Sequence, residues 1–377
     1  MKITDVLLEI QLSIFMSILL LVTLIHSYLK FSMDKLENRI FFTTEVLIFI
    51  LLILEIFSVF YDKTNVFNSI EIHKIINVLG FALAPIPIFL MWMFLNQWVS
   101  RKIDKKLVLA LAIPIILNLI ISILSYRNDF IFNVDVNNEY ERGRLFFTSP
   151  VISGFYFALN FIWMLKNRSK IHKDERITFG LSLFIPMILG IIQVKYSIFL
   201  TIWNSWALAI TMMYIFILYE KTKRDPLTGL ENRQAYYSYI SKLQQKNNVI
   251  LTVINIDMDN FKSINDNYGH NEGDEAIKSF GNIIKRVFTN KEKCMRIGGD
   301  EFIIFIEDND KVKVDRYIRE LIKRKDIYNK ENMKPYTIEF SYGIGIYDKK
   351  DETIDQLIKR CDSKMYEQKR QKGLYAK

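Results

Sequence analysis

Seven apolar segments, each long enough to cross a bilayer, constrain this chain more than any other feature. A spanning helix takes about 20 residues. In lipid, only helices and closed barrels satisfy every backbone polar group. The segments lie near residues 7–29, 40–60, 76–98, 107–125, 147–165, 177–194 and 197–219, with only Lys195-Tyr196 between the last two. The first apolar run is too long for a cleaved leader and has no small-residue cleavage site. At Tyr219-Glu220-Lys221 the composition turns from apolar to rich in Lys, Asp, Glu and Asn. The chain therefore reads as a seven-span helical membrane domain (1–219), a short helical joint (220–224) and a polar domain (225–377).

Lys and Arg in the loops set the expected orientation. Loops 30–39, 99–106 and 166–176 are basic, with Lys30, Lys35, Arg39, Arg101, Lys102 and Arg168 among their cations. The alternate loops are poorer, or mixed in charge like 126–146. The N-terminus is then outside and the polar domain cytoplasmic, a parity that seven spans satisfy. The formal charge of +9 fits basic loops at an anionic membrane surface better than nucleic-acid binding, and no nucleic-acid partner is expected. Cys294 and Cys361 both fall in the polar part, which suits a reducing compartment without disulfides.

Polar residues within spans are candidates for function: Glu45, Glu55, Asn118, Asn160 and Asn204. The plainer reading has the two glutamates reaching towards the interfaces and the asparagines bonding neighbouring helices. Pro85, Pro87, Pro114 and Pro186 should kink or loosen their helices. Loop 126–146 either covers a ligand cavity or is merely solvated.

No Gly/Ser/Pro linker separates the seventh span from Asp225-Pro226. After the turn 225–230, apolar spacing predicts a helix over 232–246, a buried strand over 249–256 ending at Asp257, and a helix over 274–288. A hairpin follows, built on Arg296-Ile297-Gly298-Gly299-Asp300-Glu301-Phe302. Then come a helix over 310–324, a strand over 336–347 and a helix over 353–372. Together they make an α/β sandwich with helices packed on a mainly antiparallel sheet.

If the strand ending at Asp257 adjoins the hairpin, Asp257, Asp300 and Glu301 converge beside Gly298 and Gly299, whose bare backbone admits a large ligand. Such carboxylates suit Mg²⁺, and two ions can stabilise phosphoryl or nucleotidyl transfer. Lys262 and Lys369 are placed to neutralise phosphates, and Asn265 and Asp274 to read a guanine edge. Each also has a plainer role: Asp257 and Asp274 as caps, Asn265 as a turn residue, Lys369 as a solvated helix residue.

The stretches 225–233, 257–274, 298–302 and 341–345, with Asp362, Met365-Tyr366 and Lys369, resemble the GGDEF family of diguanylate cyclases. The resemblance implies a palm-like nucleotidyl cyclase fold that joins two GTP molecules into cyclic di-GMP and releases two pyrophosphates. It implies a homodimer in which each copy holds one GTP. Asp257, the Met258 carbonyl, Asp300 and Glu301 would bind two Mg²⁺ per half-site, with Mn²⁺ as an alternative. Glu301 would support the metal site or help deprotonate the attacking hydroxyl. The backbone of Asn260 and Phe261, with Lys262 and Lys369, would hold the triphosphate, and Asn265 and Asp274 would read guanine. Two departures stand out. Thr289-Asn290-Lys291-Glu292 replaces the Arg-x-x-Asp of product-inhibited members, and Lys372-Gly373 stands where the family has Gly-Arg. The seven-span region is similar to sensor regions ahead of some bacterial histidine kinases, which implies an unidentified sensory ligand. Two rivals remain: a non-catalytic membrane receptor for GTP or cyclic di-GMP, and a transporter with a regulatory domain.

Overall fold

The computed structural model describes residues 3–64, 69–100, 103–171, 173–196, 202–244, 249–288, 292–347 and 352–374. The chain divides into two compact units, Met1–Ile217 and Leu218–Lys377.

The N-terminal unit is a helical bundle: α1 (Ile3–Lys30), α2 (Leu36–Lys63), α3 (Ile70–Leu83), α4 (Ile86–Ser100), α5 (Lys105–Asn128), α6 (Thr148–Lys166), α7 (Lys173–Tyr196) and α8 (Ile202–Thr222). Among the described residues, seven spans are long and apolar enough to cross a membrane, with α3 and α4 together forming the third. The apolar window of α8 is 61% buried and that of α5 only 11%, so α8 is central and α5 peripheral.

The third span breaks at Pro85. Proline has no N–H to donate four residues back, which frees the carbonyl of Phe81. Asn118 Nδ2 (2.8 Å) and Ser149 Oγ (3.3 Å) donate to that carbonyl instead. Pro114 and Pro186 lie within continuous helices. The asparagines do link helices: Asn160 donates to the Ile88 carbonyl at 3.1 Å, and Asn204 to Ser13 Oγ at 2.9 Å.

The expectation for Glu45 is corrected. Its side chain does not reach an interface but is fully buried beside Thr23 and Ser27. Glu55 accepts from Gln193 Nε2 at 3.4 Å, across to α7. The stretch 126–146 is more than a solvated loop. Strands β1 (Phe132–Val134) and β2 (Tyr140–Arg142) form a hairpin, with Ile131, Phe132 and Val134 buried against Ile70, Val78, Phe81 and Ile121. Asn138 Nδ2 and the Tyr140 amide tie it to the Tyr61 carbonyl and the Asp62 carboxylate.

The C-terminal unit contains α9 (Arg233–Gln244), β3 (Thr252–Met258), α10 (Phe261–Tyr268), α11 (His270–Val287), β4 (Lys293–Gly298), β5 (Glu301–Ile306), α12 (Lys311–Glu331), β6 (Phe340–Ile346) and α13 (Ile354–Gln371). The sheet order is β4-β5-β3-β6, every neighbouring pair antiparallel. Alternation along the strands splits the core in two. Ile254, Ile256, Phe302 and Ile304 pack with Phe280 and Ile284 of α11. Val253, Ile303 and Phe305 pack with Leu243 of α9 and Leu357 of α13.

Both sheet edges are covered. Glu231 bonds β4 through its N–H to the Cys294 carbonyl and its carbonyl from the Arg296 amide. On β6, three α13 side chains one turn apart engage outward backbone groups. Arg360 and Lys364 donate to the Ile346 and Ile344 carbonyls, and Gln368 accepts from the Tyr342 amide.

Candidate active site

Strand β3 and the hairpin are neighbours, with Asp257 directly opposite Glu301 in the β3–β5 register. The Met258 amide donates to the Asp300 carbonyl at 3.2 Å. Asp257 alternates with Ile256 and Met258 and so faces α13, where the ammonium of Lys369 meets its Oδ1 at 2.5 Å. Burial pushes the Asp257 carboxyl up to about 6. The Lys369 ammonium pulls it down, and the Asp300 and Glu301 carboxylates push it up. The three predicted carboxylates therefore act on one another electrostatically. Glu301, Gly298 and Gly299 are exposed, and Asp300 is half-buried. Gly299 takes a φ of 38° in the turn, a conformation glycine adopts without strain.

No group of three or more His, Cys, Asp or Glu that could hold an ion occurs among the described residues. The available donors are nonetheless all hard oxygens: carboxylates of Asp257, Asp300 and Glu301, with the Met258 carbonyl beside them. Mg²⁺ is commonly held by one or two carboxylates plus substrate phosphates rather than by an all-protein cage. The crowded carboxylates, one of them already drawing in a lysine, fit such an ion.

The stretch after β3 holds a helix that apolar spacing did not yield. α10 is eight residues long and buries only Ile264. Its signal was Phe261, Ile264 and Tyr268, at helical spacing directly after a strand. Asn260 starts it at φ 54°, in the left-handed region that asparagine tolerates. The first-turn N–H groups of a helix have no partners within it, so this end can receive phosphate oxygens. Lys262 stands exposed there.

α11 begins at His270, not Asp274. The cap role considered for Asp274 is thereby overturned; it lies within the helix and is exposed. Asn265 is brought next to Gly273, the residue before Asp274. A Cβ on Gly273 would sit 2.0 Å from Asn265 Oδ1 and 3.3 Å from Phe261 Cζ, so Asn265 occupies space that only glycine leaves open. Gly273 was not singled out from sequence.

Neither were Asp259 and Arg296. Asp259 is buried; its Oδ1 accepts from Ser341 Oγ at 2.7 Å and its Oδ2 from Lys372 at 2.8 Å. Lys372 also donates to the Phe340 carbonyl at 2.7 Å, so the residue standing near the family's arginine is engaged with the sheet. Arg296 joins Asp225 to the glycine turn. Lys369 is buried against Asp257 rather than solvated. Of Thr289-Asn290-Lys291-Glu292, the first three lie outside the described residues. Glu292 is buried and accepts from Tyr317 Oη at 2.8 Å.

Residues 222–373 match the family described as diguanylate cyclase, GGDEF domain. The chain is 41% identical over 90 residues to the diguanylate cyclase DgcS of Shewanella oneidensis, covering 22% of this chain and 30% of that one. It is 31% identical over 160 residues to a diguanylate cyclase of Vibrio cholerae, covering 41% and 48%. It spans less than half the length of these relatives. Among solved structures, it is similar to the coiled coil and GGDEF domain of DgcB from Caulobacter crescentus in complex with c-di-GMP. That likeness has 20% identity and a TM-score of 0.39, over 50% of this chain and 95% of that one.

Proposed function

We propose that the protein is a membrane-bound diguanylate cyclase, working as a homodimer and regulated by a signal received in the N-terminal unit. The observation that carries this reading is the register of Asp257 against Glu301 beside Gly298 and Gly299, within a stretch that matches the GGDEF family. Each copy would hold one GTP. The N-terminal end of α10, through the backbone of Asn260 and Phe261 and with Lys262, receives the triphosphate. Asn265 and Asp274 pair with the guanine edge and exclude adenine, whose donors and acceptors are reversed there. Asp257, the Met258 carbonyl, Asp300 and Glu301 would hold Mg²⁺, which would neutralise phosphate charge and polarise the reacting phosphorus. Glu301 helps remove the proton of the attacking 3′-hydroxyl. Lys369 balances the Asp257 carboxylate, and would be available to phosphate if that carboxylate held a metal ion.

In this reading residues 1–219 are the sensor, 220–224 the joint and 225–377 the cyclase, with the N-terminus outside and the cyclase cytoplasmic. The full chain in nanodiscs with GTP and Mg²⁺ should make cyclic di-GMP, and Asp300→Ala should not. GTP binding without product, even in a forced dimer of residues 220–377, would favour the receptor.

A further inference from the structure

The N-terminal unit contains a cavity of about 1200 Å³, slightly above the usual range of roughly 300–1,000 Å³ for small-molecule sites. Its wall is graded. Near the β1–β2 hairpin it is polar: Ser58, Asn77, Tyr140, Arg142, Gln193 and Lys195. Farther along the same helices it is apolar: Leu51, Ile88, Phe157, Phe161, Leu183 and Met187.

The charges at the polar end are unequal. The Arg142 guanidinium lies 4.3 Å from the Phe146 ring centroid and donates to the Val194 carbonyl. The Lys195 ammonium lies 5.0 Å from the Tyr196 ring centroid. Among the described residues, no carboxylate pairs with either cation. Glu55, the one carboxylate among the lining residues, accepts from Gln193 through Oε1 and offsets one of the two cations, so the polar end keeps a net positive charge. The indole N–H of Trp206, on the same wall, is buried without an acceptor. The cavity therefore offers positive charge and a spare donor, together with an apolar trough. Gly80 and Gly154 line it, and a Cβ on either would meet no atom within 4 Å.

We propose that this cavity binds a long-chain fatty acid from the bilayer, its carboxylate at Arg142 and Lys195 and its chain along Phe157, Phe161, Leu183 and Met187. Two cations without acidic partners select an anionic head, and the apolar depth selects a hydrocarbon tail. The proposal does not rest on the cyclase reading, because binding is measured apart from turnover.

The test uses the full chain in nanodiscs and a diazirine-bearing palmitic acid, with crosslinks mapped by mass spectrometry. Crosslinks should fall on α2, α6 and α7 facing the cavity. Gly154→Trp, which fills open space, should cut them about tenfold. Arg142→Gln, at the exposed mouth, should weaken binding about tenfold, as should the methyl ester of the probe. Crosslinks spread over the lipid-facing surface, indifference to both substitutions, or an equally good ester would overturn the proposal. Stronger displacement by phosphatidic acid than by palmitate would overturn the choice of a free fatty acid. Absence of GTP turnover in every sample, with cavity crosslinks intact, would remove the cyclase reading and leave the site standing.

Discussion

Arg296 Nη1 lies 3.0 and 3.1 Å from the two carboxylate oxygens of Asp225, while its Nε donates to the Gly299 carbonyl at 2.9 Å. One side chain thus fastens the opening turn of the C-terminal unit to the glycine turn of the candidate site. Hydrogen bonds to charged groups contribute about 1.5–3 kcal/mol. Arg296→Gln should cost that much in chemical denaturation of residues 218–377 and should lower GTP turnover in the full chain. Unchanged turnover would show that the glycine turn holds its shape without this tether.

The same pair sets an acid limb of stability. Burial pushes the Asp225 carboxyl up, but bonds from Thr228 and Arg296 outweigh it and hold it below the usual carboxylate range. A depressed folded pKa gives stability that is present above the unfolded value of about 3.9 and lost as pH falls through the folded one. The stability gap between wild type and Asp225→Asn should be constant from about pH 7 to 5 and close below about pH 4. Denaturant midpoints across that range test it; a gap independent of pH would rule the coupling out.

Gly273→Ala would place a methyl group on Asn265 Oδ1. We expect a KM for GTP raised about tenfold, the effect of losing roughly 1.4 kcal/mol, with kcat less affected and discrimination against ATP eroded. Steady-state kinetics with both nucleotides read this directly. An unaltered KM would take Asn265 out of base recognition.

In the proposed site a divalent cation would compete with Lys369 for Asp257. Lys369→Met leaves a buried carboxylate without its ammonium, a change that typically costs about 3–5 kcal/mol. Mg²⁺ should then raise the melting temperature of the variant more than that of wild type. Equal magnesium-induced shifts would mean that lysine and metal do not share the carboxylate.

The spans, the strand at Asp257 and the hairpin were legible because apolar length and alternation report burial directly. α10 escaped because its eight residues bury little, so periodicity barely registers. α12 continues to Glu331, beyond the expected end at 324, in a charged stretch whose helicity depends on packing against α11. The three carboxylates, and Asn265 with Asp274, were visible as residue types. Arg296, Gly273 and Asp259 were not, because their roles depend on tertiary neighbours distant in sequence. Glu45 read as an interfacial residue because a lone carboxyl in an apolar run gives no sign of which helices enclose it.

The covered sheet edges have a consequence for assembly. A strand with free N–H and C=O groups invites another chain to continue its ladder. Here Glu231 shields one flank, and Arg360, Lys364 and Gln368 shield the other. A second copy is thereby denied β-augmentation. In the proposed homodimer the two copies would meet through faces and helices, leaving each sheet intact.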